Sequence, residues 1–245
     1  MRSHYLRAAA GGSGSLLPTA TLLHLENPNT NYNTGNGVWT ATVGSNINFL
    51  NYSGNFSVGT DSNGNSYLKY PNSNSSSYGF HNNYSLLSNM CIISVIEEYG
   101  AAPFIIEHST DANTLDGMYH YSDTYYPYAV TRSSSTVKYN PSNNAGGIED
   151  PVNSGTKTVF GSNFTSSSNL TNMFYSSKFG GKRDAVLEYG STLTNGSATS
   201  SLYIGSRAGS SIMFTGKLYE VYMTEALSTS DFDNAIAYFK DKFNL

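Results

Sequence analysis

The chain has 245 residues, enough for one sizeable domain whose core needs no disulfide or metal staple. Only 12% of it is charged and the formal net charge is −4, which leaves no basic stripe for nucleic acid or an anionic membrane surface. A single cysteine excludes a disulfide framework, and no apolar run approaches the roughly 18 residues of a membrane span.

Residues 1–15 divide into a small basic head, Arg2 to Arg7, and the Gly/Ser-rich run Ala8 to Ser15, a flexible linker by composition. Two readings stand: an unordered terminus, or a short arm that docks on a larger assembly through Arg2, Tyr5 and Arg7. Ala8-Ala9-Ala10 is too short for a signal-peptide core. The sequons at Asn51, Asn83 and Asn163 are therefore read as products of an Asn/Ser-rich composition. Residues 16–245 are expected to form one domain.

Leu22 to Glu26 reads as a strand, followed by a turn-rich stretch from Asn27 to Gly37 and then by Val38-Trp39-Thr40-Ala41-Thr42. Asn63-Gly64 is a hairpin signal, and Tyr67 to Tyr70 is a strand stopped by Pro71. A polar loop is expected over Asn72 to Leu87, then a long strand from Met90 to Tyr99 with Cys91 as a buried thiol. Pro103 to His108 is the next strand, and Met118 to Tyr128 is at once aromatic and polar. Further strands are read at Ser133 to Val137, Thr156 to Phe160, Leu170 to Ser176 and Asp184 to Tyr189, with an exposed loop over Asn140 to Gly155. Gly180 to Arg183 reads as a turn carrying surface charge.

The closing stretch is the clearest. Leu202 and Ile204 alternate with polar neighbours, and Phe214, Leu218 and Val221 share a face if a bulge falls between them, so two antiparallel strands are predicted. After Leu227 the period lengthens. Ser228 with Asp231, and Ser230 with Asp233, offer caps, and Phe232, Ile236, Phe239 and Phe243 recur at helical spacing. A short amphipathic helix is predicted to close the chain against the sheet.

The segment from Leu202 through Gly205-Ser206, Gly216 and Leu227-Ser228 into that helix resembles the closing segment of concanavalin A-like, laminin-G-like jelly-roll domains. Asn27-Pro28, Tyr32, Gly37 and Trp39-Thr40 stand where such domains of phage and viral structural proteins carry an opening loop, a Gly and Trp-Thr. Val43-Gly44-Ser45-Asn46 replaces their Asp-Ser-Gly-Asn turn, and Asp61 to Leu68 is similar to their Asp-Gly-x-Asn-x-Tyr-Leu strand. The resemblance implies an all-β, two-sheet antiparallel jelly-roll sandwich with a short C-terminal helix. It also implies a non-catalytic virion structural protein, a capsid decoration, fibre or tail component.

The residues offer little chemistry of their own. A glycoside hydrolase needs two carboxylates facing one cleft. Glu97 and Glu98 are neighbours on a strand and so point to opposite faces, while Glu107 and His108 are a lone pair that could face a groove. There is no Gly-x-Ser-x-Gly elbow and no P-loop spacing, and the five histidines show no paired spacing for a transition metal. Asp61 with Asn63, or Asp111 with Asp116, offers oxygen ligands for calcium, and an Asx turn explains Asp61 and Asn63 equally well. No other cofactor is expected.

Tyr119, Tyr121, Asp123, Tyr125, Tyr126 and Tyr128 combine ring faces with hydrogen-bonding groups, which suits a glycan groove, a protein interface or plain sheet packing. The expectation is a multi-copy protein of the virion surface. Its partners would be other virion proteins and cell-surface glycan, not nucleic acid or a membrane interior. The alternative is an extracellular carbohydrate-binding module or a relative of polysaccharide-acting glycosidases.

Overall fold

The computed structural model describes residues 5–7, 16–53, 55–71, 77–85, 89–98, 104–109, 117–122, 127–133, 135–139, 155–164, 173–176, 181–184, 199–207 and 213–245. The chain opens with strands β1 (Tyr5–Arg7), β2 (Leu16–Pro18) and β3 (Leu23–Leu25), then a single helical turn, α1 (Pro28–Asn31). Short strands follow: β4 (Tyr32–Asn33), β5 (Val38–Trp39), β6 (Ile47–Leu50), β7 (Ser57–Thr60) and β8 (Ser66–Lys69). The middle holds β9 (Tyr78–Ser85), β10 (Met90–Glu98), β11 (Phe104–Ser109), β12 (Gly117–Ser122), β13 (Pro127–Ser133) and β14 (Ser135–Tyr139). The last elements are β15 (Lys157–Phe164), β16 (Met173–Ser176), β17 (Gly181–Asp184), β18 (Thr199–Ile204), β19 (Gly216–Glu225) and α2 (Thr229–Phe243).

These strands form a two-sheet antiparallel jelly-roll sandwich. One sheet has eight strands in the order β17-β16-β15-β10-β19-β8-β7, with β3 also paired to β19. The other has nine, in the order β14-β13-β12-β11-β18-β9-β6-β5-β4. Between them lies a core of Leu23, Leu25, Met90, Ile92, Leu218, Val221 and Met223 from the first sheet. Trp39, Ile47, Phe49, Ile106, Leu202 and Ile204 face them from the second.

The eight-stranded sheet is also covered on its outer side. Cys91, Ile93 and Val95 of β10 and Tyr219 and Tyr222 of β19 pack against Phe232, Ile236, Phe239 and Phe243 of α2, with Leu17 of β2 beside them. This is why Met90 to Ile96 is an almost unbroken apolar run: a strand covered on both faces has no solvent side to alternate toward. Burying each phenylalanine of α2 contributes about 1.5–3 kcal/mol. The helix begins where Ser228 accepts the Asp231 N–H at 3.1 Å and ends on Asn244 in the left-handed region. The bulge required by Phe214, Leu218 and Val221 is present, opposite Val95 and Ile96, and all three side chains reach the inter-sheet core.

Three expectations change. Tyr78–Ser85, read as loop because of its Asn and Ser content, is β9 and holds β6 and β18 together. Gly181–Asp184 is not a turn but a strand paired with β16. The strands around Leu202 and Leu218 lie in opposite sheets rather than pairing, because β18 finds β9 and β11 while β19 finds β10. Within the basic head, Tyr5–Arg7 pairs antiparallel with Leu16–Pro18. Arg2, the linker from 8 to 15, the loop over 140–154 and positions 185–189 lie outside the described residues.

Candidate functional site

Since α2 and β2 cover the eight-stranded sheet, the outer side of the nine-stranded sheet is the face left without a helix among the described residues. Strand alternation decides which side chains stand there. Phe49, Leu202, Ile204 and Ile106 point inward, so their neighbours Asn48, Leu50, Tyr203 and Glu107 point outward. Gly79 lies over the core, where an added Cβ would come within 2.8 Å of the Phe49 ring and 2.9 Å of Ile47. Its flanking residues Tyr78 and Phe80 therefore face out.

Cross-strand pairing lines these positions up. Asn48 opposes Phe80, Phe80 opposes Tyr203, Tyr203 opposes Glu107, and Glu107 opposes position 119. Directly opposed residues share a face and touch. The Phe80 and Tyr203 ring centroids are 5.4 Å apart, Tyr78 and Tyr203 5.9 Å, and Tyr78 and Phe80 6.5 Å. All three rings are partly exposed, and Leu50, paired with Tyr78, is 41% exposed. Burial and the neighbouring Tyr203 push the Tyr78 phenol up, so its hydroxyl stays a neutral donor and acceptor.

Of the positions expected to act, only 119 falls in this row by register. Position 119 opposes Glu107, and positions 121 and 128 oppose each other on β12 and β13. Asp123, Tyr125 and Tyr126 lie outside the described residues. Sequence reasoning missed Tyr78, Phe80 and Tyr203. The signal was there: Tyr203 sits between two core residues, and Tyr78-Gly79-Phe80 is a period-two pattern inside a polar stretch.

Among the described residues, the carboxylates singled out from the sequence do not converge as a hydrolase requires. Glu107 and His108 are both buried but fall on opposite faces of β11, so they share no groove: Glu107 belongs by alternation to the outer row, and the His108 Nε2–H donates to the Tyr84 carbonyl at 2.8 Å. Burial pulls His108 down, so it is neutral. Glu97 receives Lys217 at 2.8 Å and the Tyr219 hydroxyl at 2.9 Å. Asp61 Oδ1 accepts the N–H groups of Asn63 and Asn65, both at 2.9 Å, and Oδ2 meets Lys157 at 2.5 Å. The Asp61 oxygens expected to offer themselves to calcium are thus taken up by an Asx turn and a lysine, and Asp111 and Asp116 lie outside the described residues.

One cluster does bring together groups that ligate metals. His24 on β3, Glu26, and Glu220 on β19 place ligand atoms within 4.8 Å of one another. Lys242 Nζ stands among them, 2.6 Å from Glu220 Oε2 and 3.5 Å from Glu26 Oε2, so an ammonium occupies the place a cation would take. His24 Nε2–H donates to Glu220 Oε1 at 2.7 Å. Burial alone would raise Glu220, but Lys242 and His24 hold it below the usual carboxylate range. A general acid must carry a proton near neutrality, and Glu220 and Asp61 are both held ionised.

No protein-family model matches the sequence, and no curated protein matches it. Solved structures do. A Trypanosoma rangeli sialidase in complex with 2,3-difluorosialic acid is 11% identical, with a TM-score of 0.59 over 94% of this chain and 34% of its own. A second structure of Trypanosoma rangeli sialidase is 10% identical, with a TM-score of 0.57 over 96% of this chain and 35% of its own. Domain 4 of an extracellular arabinanase from Geobacillus stearothermophilus, in complex with arabinotriose, is 14% identical with a TM-score of 0.48, over 89% of this chain and all of that domain. The chain spans about a third of the sialidase's length, and the shared property is the fold.

Proposed function

We propose that the chain is a non-catalytic, lectin-like binding domain that takes saccharides on the outer face of its nine-stranded sheet. The observation that carries this reading is the Tyr78–Phe80–Tyr203 cluster: three partly exposed rings in ring contact, on the face left without a helix among the described residues. A sugar ring offers an apolar C–H face and a rim of hydroxyls. Aromatic faces beside neutral phenols and an amide such as Asn48 match both. The ion-paired state of Glu97, Asp61 and Glu220 supports a binding role over hydrolysis.

The setting proposed for this domain is a virion surface, with other virion proteins and host glycan as partners and many copies per particle. That part rests on the resemblance of the opening and closing segments. No helix among the described residues is long and apolar enough to cross a membrane.

A glycan array probed with the purified chain, alongside the Phe80→Ala and Tyr203→Ala variants, tests the binding reading. Saccharide binding that both variants lose is the expected result. Binding that survives both substitutions would place the ligand elsewhere, and a blank array would remove the reading. Copurification with assembled particles tests the setting separately.

A further inference from the structure

Three side chains, those of Asp61, Asn65 and Lys157, meet on the eight-stranded sheet through polar contacts. The turn from Asp61 to Asn65 joins β7 to β8, and Lys157 opens β15, with β10 and β19 between β15 and β8. Lys157 nevertheless reaches across. Its Nζ lies 4.9 Å from the Tyr219 ring centroid and 5.6 Å from that of Phe243, and donates to the Phe243 carbonyl at 3.2 Å. It meets Asp61 Oδ2 at 2.5 Å, and the two side chains are each 11% exposed.

The Asn65 amide satisfies its neighbours in one orientation. Its nitrogen donates to the Lys242 carbonyl at 3.2 Å, and its oxygen accepts from Lys157 Nζ at 3.2 Å. That oxygen then stands 3.5 Å from Asp61 Oδ2, close enough for a protonated Asp61 to donate to it. An amine, a carboxamide and a carboxyl group beside both are the components of an amide exchange. The fold holds them together at high effective concentration.

We infer that Lys157 and Asn65 join in an intramolecular isopeptide bond, with Asp61 as the proton relay. Lys157 passes a proton to Asp61 Oδ2, and the freed amine attacks Asn65 Cγ. Asp61 donates to the amide oxygen during attack; as the tetrahedral species collapses, that proton and a second one shed by Nζ both pass to the departing nitrogen. The bond from Nζ to Cγ forms, the bond from Cγ to Nδ2 breaks, and one ammonium ion is released. Asp61 is regenerated, and no oxidant or cofactor enters. In the resting state Asp61 is ionised: burial alone would raise it, but Lys157 and the backbone N–H groups of Asn65 and Asn63 hold it below its ordinary value. The reaction is accordingly slow, which a step that runs once per molecule tolerates. The product closes residues 65–157 into a covalent loop.

Intact-mass measurement on the denatured, aged protein, followed by peptide mapping, tests this. The expected result is a mass lower than the sequence by one ammonia, and a branched peptide in which Lys157 is joined to Asn65. Asn63-Gly64 can also lose ammonia by closing a succinimide, so the map must locate the loss. Loss confined to Asn63, or persisting in Lys157→Met, overturns the proposal. Asp61→Ala, which keeps both bond-forming residues, should retain the full sequence mass; cross-linking at the wild-type rate in that variant removes Asp61 from the mechanism. Full sequence mass in the wild-type protein after prolonged incubation overturns the proposal outright.

Discussion

His24 and Glu220, 196 residues apart in sequence, meet at 2.7 Å beneath the last turn of α2. Their strands are neighbours, with His24 opposite Tyr222, and Lys242 comes down from the helix to complete the contact. Glu220 is 1% exposed, so its charge depends on these partners. Lys242→Met leaves that charge buried without its cation and is expected to cost ~3–5 kcal/mol, read as a lower denaturant midpoint. Adding Glu220→Gln removes the orphaned charge, so the double variant should be more stable than Lys242→Met alone. A double variant no better than the single one would mean that the ion pair is not what the lysine supplies.

Acid should weaken the fold in two stages. His108 has a folded pKa below its ordinary 6.5, because burial disfavours the imidazolium. Below pH 6.5 the unfolded chain therefore takes up a proton that the folded chain refuses, and stability falls. Burial alone would raise Glu220, but Lys242 and His24 depress it below 4.5, so its contribution is whole above that value and is lost as pH falls through the folded one. Denaturant midpoints measured from pH 8 to pH 3 should show both declines. His108→Gln should erase the first and leave the second.

Gly79→Ala tests whether the outer rings depend on the core beneath them. The new methyl group would meet Phe49 at 2.8 Å and Ile47 at 2.9 Å, forcing β9 outward or the core to repack. A cost of about 1–3 kcal/mol is expected. Because Tyr78 and Phe80 flank this position, saccharide affinity should fall with it, whereas Ser228→Ala should cost ~1 kcal/mol at the helix cap and leave affinity unchanged.

Cys91 should be silent to thiol reagents in the native state. It is fully buried under α2, and burial pushes its thiol well up, so the reactive thiolate is scarce. Labelling is expected only as fast as the fold opens. Rapid labelling of the native protein would show that the helix detaches readily from the sheet.

How much of this was readable from the sequence depends on the range of the interactions. The helix was legible because Ser228, Phe232, Ile236, Phe239 and Phe243 are local signals, and the β19 bulge because Phe214, Leu218 and Val221 all had to face one way. β9 was not, since Asn82, Asn83 and Ser85 are turn residues by composition and only pairing with β6 and β18 makes them strand. The partition of β18 and β19 between sheets was equally hidden, because alternation specifies a face and not a neighbour. At the site, the tyrosines at 119, 121 and 128 drew attention by crowding. Tyr78, Phe80 and Tyr203 are scattered over 126 positions and become a cluster only through register. The His24–Glu220–Lys242 contact had no sequence signal, for nothing local records which buried acid meets which base.

The position of β19 governs when the molecule can fold. β3, β8 and β10 all pair with it, and its outer face is the seat of α2. Each of those three strands is synthesised well before residue 216, yet none has its shared neighbour until β19 exists. On the ribosome they must wait with open edges and uncovered apolar faces, and the sandwich closes in one late step once the hub strand arrives.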